Sequence, residues 1–312
     1  MTARILALSG GIGGAKLALG LYQTLGAGEL AVLVNTADDF EHLGLYISPD
    51  VDTLLYTLAE LADRERGWGR AGETWQFMAE LRRLGGEDWF SLGDKDLALH
   101  VERTRQLRAG ASLTAITGAV AGRFGIQAQV LPMSDQPVRT VLTTDAGVLD
   151  FQRYFVGLRA QPAVRSIEYR GAATAAASPE VLSLLADPAL EAVVLCPSNP
   201  WLSIAPLLAI PALRAALSAC MAPVVAVSPI VGGAAIKGPT AKIMTELGLP
   251  VTATAVARYY GDLLDGYVLD RADAAMAKDL GLPSLATATV MKTDEDKRRL
   301  AREVVAFARQ LT

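Results

Sequence analysis

Two cysteines in 312 residues, Cys196 and Cys220, are too few for a disulfide framework or a structural zinc site. Both sit in apolar surroundings, where a small buried hydrophobe is the plain reading. A basic surplus is missing too: 29 Lys and Arg face 33 Asp and Glu, for a net charge of −4. Proteins that track nucleic acid displace counterions with excess cations, so no nucleic-acid partner is expected. Mean hydropathy is positive, yet no apolar run approaches the ~20 residues of a spanning helix. The most apolar stretches, 193–195 and 224–227, are short and are punctuated by Pro197, Pro200, Pro206, Pro211 and Pro229. The apolar run at the start is too short for a signal peptide, and neither internal repeats nor a low-complexity linker interrupt the chain. A cytoplasmic protein with no membrane partner is the expectation.

What is present is a globular composition, 51% hydrophobic and 20% charged, long enough for one large domain or a core with one insertion. Residues 5–9 are an apolar run ending in glycines, 15–25 carry helical spacing through Leu17, Leu21 and Leu25, and 30–35 form a second buried-type strand. Strand, glycine turn, helix and strand in about 35 residues make a β-α-β unit, which requires a parallel sheet. A helix over 52–63 follows. From about Arg64 the character changes, with Trp68, Trp75 and Trp89 among many charges, a helical stretch over 101–124, and strands near 128–131, 140–144 and 166–169. Regular alternation then resumes: helices over 179–186 and 241–247, strands over 192–196, 223–228 and 267–269, and a short strand at 251–252. A C-terminal helix over 294–311 is capped by Asp294. The fold expected is α/β: a Rossmann-like, doubly wound, mainly parallel sheet. Residues 1–63 and 171–312 make the nucleotide-binding core, and 64–170 an inserted α+β subdomain over the ligand edge, where it binds an acceptor.

The first loop reads Ser9-Gly10-Gly11-Ile12-Gly13-Gly14-Ala15-Lys16. Glycines between a strand and a helix let backbone N–H groups converge, and the helix N-terminus adds partial positive charge, so phosphate is the natural guest. The alternative is a tight turn with no ligand. A dinucleotide fingerprint fails because Lys16 stands at its third glycine position. A Walker A loop fails because Leu17 follows the lysine, leaving no hydroxyl for magnesium. Lys16 either meets a phosphate or lies along its helix.

Asn35-Thr36-Ala37-Asp38-Asp39 ends the second strand, and Ser48-Pro49-Asp50-Val51-Asp52-Thr53 follows. In a parallel sheet these segments share the carboxyl edge with the glycine loop. Carboxylates beside a phosphate repel it unless a cation intervenes, so magnesium is the expected cofactor. Asp50 and Asp52 divide between helix capping and the site, whereas Asp38 and Asp39, with no helix directly after them, point to the site. Two later loops, 196–200 and 228–239, are rigid and amide-rich, and suit a base and its phosphates or are ordinary β-α turns. Gly93-Asp94-Lys95-Asp96 and Leu131-Pro132-Met133-Ser134-Asp135 are polar clusters within the insertion.

In this order the motifs resemble the 2-phospho-L-lactate transferase family of coenzyme F(420) biosynthesis, met in bacteria as a phosphoenolpyruvate-handling transferase. The resemblance covers nearly the whole chain. It implies a donor that is the guanosine diphosphate ester of a three-carbon acid, whether phospholactate, phosphoenolpyruvate or phosphoglycerate. The acceptor it implies is the ribityl hydroxyl of the deazaflavin Fo, with GMP leaving. It also implies roles: Asp39 and Asp50 for magnesium, Asp39 also in catalysis, Asp52 to hold or deprotonate the hydroxyl, and Lys95 to contact Fo or the transferred phosphate. Gly10, Gly11, Gly13 and Gly14 would cradle the diphosphate, and Ser198, Asn199, Gly232 and Gly233 the guanosine. Lys16, Asn35, Asp94, Asp96, Ser134, Asp135, Ser228 and Lys237 complete the expected ligand contacts. A homodimer is the expected state. The rival reading is a regulator of the same fold family that binds a nucleotide sugar without turning it over; the defective fingerprint leaves a nicotinamide oxidoreductase little support.

Overall fold

A computed structural model describes residues 3–236 and 238–311. The chain opens with β1 (Ile5–Ser9), α1 (Gly11–Thr24) and β2 (Leu30–Val34), then a hairpin of β3 (Phe40–His42) and β4 (Leu45–Ile47), then α2 (Pro49–Leu58). Helices α3 (Gln76–Arg83), α4 (Asp94–Arg108) and α5 (Leu113–Arg123) lead to β5 (Gln129–Pro132). Next come β6 (Arg139–Thr144), β7 (Gly147–Asp150), a π-helical turn at Arg153–Gly157 and β8 (Val164–Arg170). α6 (Pro179–Leu185) and β9 (Ala192–Leu195) precede a second π-helical turn at Pro200–Ile204, α7 (Ala205–Leu208) and α8 (Pro211–Ala219). The last third holds β10 (Val224–Val227), the two-residue strands β11 (Ile230–Val231) and β12 (Ala234–Ala235), α9 (Thr240–Glu246) and α10 (Ala253–Tyr260). It ends with β13 (Gly266–Asp270), β14 (Ser284–Thr287) and α11 (Asp294–Ala308).

Seven strands form one sheet in the order β14-β13-β10-β9-β1-β2-β5, with every pairing parallel. Strands such as Leu-Ala-Val-Leu-Val in β2 and Ala-Val-Val-Leu in β9 are apolar throughout because helices cover both faces. Successive residues of β1 divide between the faces. Leu6 and Leu8 join one core with residues of α6, α8, α9 and α10, while Ile5 and Ala7 join the other with residues of α1, α2, α5 and α11. The α/β class expected from the sequence is therefore borne out.

Strand order runs outward in both directions from β1 and β9, so the crevice beyond their carboxyl ends is the topological switch point where ligands bind in open α/β sheets. The glycine loop follows β1, and Pro197-Ser198-Asn199 follows β9.

Several local expectations differ. β5 pairs with β2 as the edge of the main sheet, so 64–170 is not one continuous insertion. The added material is instead the helical stretch before β5 and the antiparallel sheet β7-β6-β8 after it. The helical run over 101–124 is two helices broken at 109–112. Residues 251–252 form no strand, and Thr252 caps α10 with its side chain. Thr293, not Asp294, caps α11, in a capping box with Asp296. Among the described residues no single helix is long and apolar enough to cross a membrane; the proline-rich stretch 200–219 is bent by 86° at its break.

Candidate active site

β1 ends at Ser9, Gly10 is extended, and α1 begins at Gly11, whose φ of 64° favours glycine. The Gly11 N–H donates to Asp50 Oδ1 at 2.8 Å, and Asn35 Nδ2 donates to Asp50 Oδ2 at 3.0 Å. The Gly10 N–H donates to Ser198 Oγ at 3.2 Å. A Cβ at Gly13 would lie 2.5 Å from the Pro197 carbonyl oxygen, so this glycine is demanded by the approach of the loop after β9. Ile12 and Gly13, in the first turn, have amides with no intrahelical acceptor. Both residues line the cavity described below, which gives it an anion-binding helix start.

The four aspartates are all buried but divide into two environments. Asp38 and Asp50 are on the cavity wall. Asp38 Oδ1 has no hydrogen-bond partner, and burial together with the Asp50 and Asp39 charges drives its pKa well up. Burial also raises Asp50 to about 6. Asp39 is behind the wall, where its Oδ2 accepts from Tyr46 Oη at 2.9 Å and Ser48 Oγ at 2.8 Å. Its Oδ1 is unpaired, and burial raises it to about 7.

Asp52 is away from the cavity. Arg103 of α4 grips it with both terminal nitrogens, Nη1 at 3.1 Å from Oδ2 and Nη2 against Oδ1. Asp96 accepts from Tyr56 Oη at 2.5 Å and lies 3.3 Å from His100 Nε2. Asp52, Asp96 and His100 bring their ligating atoms within 4.8 Å of one another, but the buried guanidinium already supplies the cation. The group joins α2 to α4, and the acceptor-activating role expected of Asp52 has no support in this geometry.

Other expected contacts have structural work instead. Asp94 accepts from Thr74 Oγ1 and from the Gln76 and Phe77 amides, fixing the start of α3. Lys95 is exposed and off the cavity wall. Ser134 Oγ donates to the Ala176 carbonyl at 2.7 Å and accepts from the Gln136 amide, and Asp135 accepts from the Thr114 amide. The Gly232 N–H donates to Asp273 at 2.9 Å in the β11–β12 turn, where Gly232 and Gly233 have positive φ. Gly14 and Asn35 support the cavity from behind its wall. Lys237 lies outside the described residues.

The structure does bring Gly10, Gly11, Gly13, Lys16, Asp50, Ser198, Asn199 and Ser228 onto one cavity of about 600 Å³. Lys16 Nζ donates to the Met291 carbonyl at 3.1 Å. Asn199 Oδ1 accepts from the Trp201 and Leu202 amides, capping the second π-helical turn, while its Nδ2 is buried without a partner. The same cavity is also lined by an apolar and aromatic group, Trp68, Phe90, Phe151, Phe155 and Val156, which we call its roof. Sequence reasoning placed 64–170 over the ligand edge and noted Trp68 there, but did not single out Phe151 and Phe155. The four-residue spacing of Phe151 and Phe155 was the one available signal, and it lay in a stretch with no repeating pattern around it.

The family described as 2-phospho-L-lactate transferase CofD matches residues 5–310. The chain is 41% identical over 304 residues to the 2-phospho-L-lactate transferase of Methanosarcina mazei, covering 96% of this chain and 99% of that protein. It is 41% identical over 318 residues to the phosphoenolpyruvate transferase of Kitasatospora aureofaciens, covering 99% and 98%. A solved structure from Bacillus halodurans, a member of the UPF0052 family, shares the fold at a TM-score of 0.63 and 13% identity, covering 98% and 99%. With sequence matches end to end and a nucleotide-type crevice at the switch point, this chain is a transferase enzyme belonging to the 2-phospho-L-lactate transferase CofD family.

Proposed function

We propose that this enzyme moves a phosphorylated three-carbon acid from its guanosine diphosphate ester to the ribityl hydroxyl of the deazaflavin Fo. The hydroxyl oxygen bonds to the phosphorus that bears the acid, the bond from that phosphorus to GMP breaks, and the hydroxyl proton leaves to the departing GMP phosphate or to solvent. One observation carries the reading: Asp38 and Asp50 share a cavity wall with the amide-bearing start of α1. Amides suit a diphosphate, carboxylates repel it, and a divalent cation reconciles the two.

The residues fit such a cation. Asp38 has an unshared buried oxygen, and burial holds both wall carboxyls above their ordinary range, a strain that a positive charge relieves. Magnesium would be held by Asp38 and Asp50, and would supply neutralisation of the diphosphate charge. This replaces Asp39 in the expected pair, because Asp39 does not line the cavity whereas Asp38 and Asp50 do. In phosphoryl-type substitution most catalysis is positioning and charge stabilisation. The first-turn amides and Lys16 hold phosphate oxygens, and the unpartnered Asn199 Nδ2 donates to a base carbonyl.

The test supplies purified protein with Fo, GTP, magnesium, each three-carbon acid in turn and the matching guanylyltransferase. Mass spectrometry should show Fo extended by one phosphorylated acid, with GMP released. No adduct with any of the acids would reject the reading. A regulator that only bound a nucleotide sugar would leave Fo fluorescence unchanged on titration.

A further inference from the structure

Apart from Trp68, the roof of the cavity comes from two segments about sixty residues apart in the chain. One, before α4, carries Trp89 and Phe90; the other is the π-helical turn after β7, with Phe151 and Gln152 just before it and Phe155 within it. They meet where the Arg153 guanidinium lies 4.9 Å from the Trp89 ring centroid. Phe151 and Phe155 stack at 5.3 Å with their planes 10° apart. Phe151 is 8% exposed and Phe155 is 38% exposed, and both line the cavity. The inner ring is thus fixed by packing, while the outer ring offers area to whatever enters. Gln152, between them, donates from Nε2 to the Asp38 carbonyl at 3.3 Å, tying this turn to the acidic loop on the floor.

Resting on the acceptor reading above, we infer that Phe155, backed by Phe151, is the platform on which the acceptor's planar ring stacks. Charge and polarity distinguish the two rings the reaction must hold. Among the described residues, the charged ones that line the cavity are Lys16, Asp38 and Asp50, none of them in the roof. Guanine carries donors and acceptors around its edge and needs partners for them; Asn199 Nδ2, on the loop after β9, is a buried donor with no partner among the described residues. A broad tricyclic ring gains most from apolar and aromatic area, which Phe90, Phe155 and Val156 supply. Trp68 is the competing platform; its neighbours Trp75 and Arg66 meet it edge-on and as a cation, whereas Phe155 already has a parallel ring behind it that fixes its plane. The Gln152 tether then places the stacked ring beside the wall that holds Asp38, where the acceptor's side chain must reach the phosphorus.

Fluorescence titration with Fo, and separately calorimetry with GDP, tests this on the full-length protein. Phe155→Ala should weaken Fo about 10-fold or more and leave GDP affinity within about twofold. Phe155→Trp should keep Fo binding, Phe155→Leu should fall between, and Leu158→Ala, off the cavity wall, should match wild type. Fo binding by Phe155→Ala equal to wild type would overturn the platform, as would a loss of Fo and GDP affinity together. So would a loss caused by Trp68→Ala while Phe155→Ala binds normally. A wild-type protein that binds GDP but not Fo would overturn the acceptor reading and the platform with it, a pattern distinct from the others.

Discussion

The floor and the roof of the cavity are built to different standards. The floor hangs from β1, β2 and β9, whose residues are buried on both faces of a seven-stranded parallel sheet. The satellite core beneath part of the roof has only Ile47, Met78 and Leu92 fully buried. The other roof segment anchors Phe151 and Tyr154 in the main core, and the two segments meet through single contacts such as the Arg153–Trp89 pair. Groups that must neutralise a diphosphate gain from rigid placement, because a small displacement weakens every electrostatic contact. An apolar surface that accepts a ring tolerates looser support. Substitutions in the floor should therefore be read in turnover, and those in the roof in acceptor affinity.

The buried Asp52–Arg103 pair, which joins the core helix α2 to α4, offers the most severe way to break this division. Arg103→Met leaves a buried carboxylate unpaired and should cost about 3–5 kcal/mol of stability by chemical denaturation. The double variant Asp52→Leu/Arg103→Met should recover most of it. Turnover per folded molecule should stay near wild type in the double variant, since neither side chain reaches the cavity. A folded double variant that had lost turnover would return Asp52 to the site.

Asp50→Asn sharpens the floor. It keeps the shape, but one amide end cannot match both the Gly11 and the Asn35 donors, and a cavity-wall charge is lost. We expect kcat to fall by about 100-fold or more, with Fo affinity nearly unchanged by fluorescence. Weakened Fo binding of similar size would mean that floor and roof are not separable.

The asymmetry also governs what was legible in the sequence. The core announced itself because parallel strands are apolar throughout and glycines sit where β1 turns into α1. That Asp50 and the glycine loop would face one another was legible for the same reason, both being close in sequence to strand ends. Asp52 was misread because its partner is 51 residues away, and Arg103 in a helical run looks like any solvated arginine. β5 was recognised as a strand but assigned to the insertion, since four residues carry no information about which sheet they join. Asp94, Ser134 and Asp135 looked like ligand contacts because a capping side chain and a binding side chain are the same residue types. Of the roof, the position over the ligand edge was expected, but the Phe151–Phe155 stack was not, because it depends on a π-helical turn that no periodicity marks.

A smaller effect separates the two regions by pH. Burial holds Asp39 at about 7 in the folded protein, against 3.8 as its ordinary value. Between those values the folded state binds more protons than the unfolded chain, so stability falls as pH rises through the window and levels above about 7. Asp50, raised to about 6, acts in the same direction. Melting without divalent ions should give a lower Tm at pH 8 than at pH 5.5, and Asp39→Asn should shrink the difference. An unchanged slope in that variant would assign the titration to the wall carboxyls Asp38 and Asp50.

Arg153→Ala should have the slightest consequence, and it tests how the roof is held. The guanidinium is exposed and stands over Trp89, a contact worth about 0.5–1 kcal/mol at such a site. Its removal leaves both chain segments in place through Phe90 and the Gln152 tether. Global stability should change by less than about 1 kcal/mol, GDP affinity should be unaltered, and KM for the acceptor should rise about twofold to fivefold with kcat preserved. A fall in kcat instead would show that the arch between the two segments transmits to the floor, since loosening the acceptor ring alone weakens ground state and transition state equally.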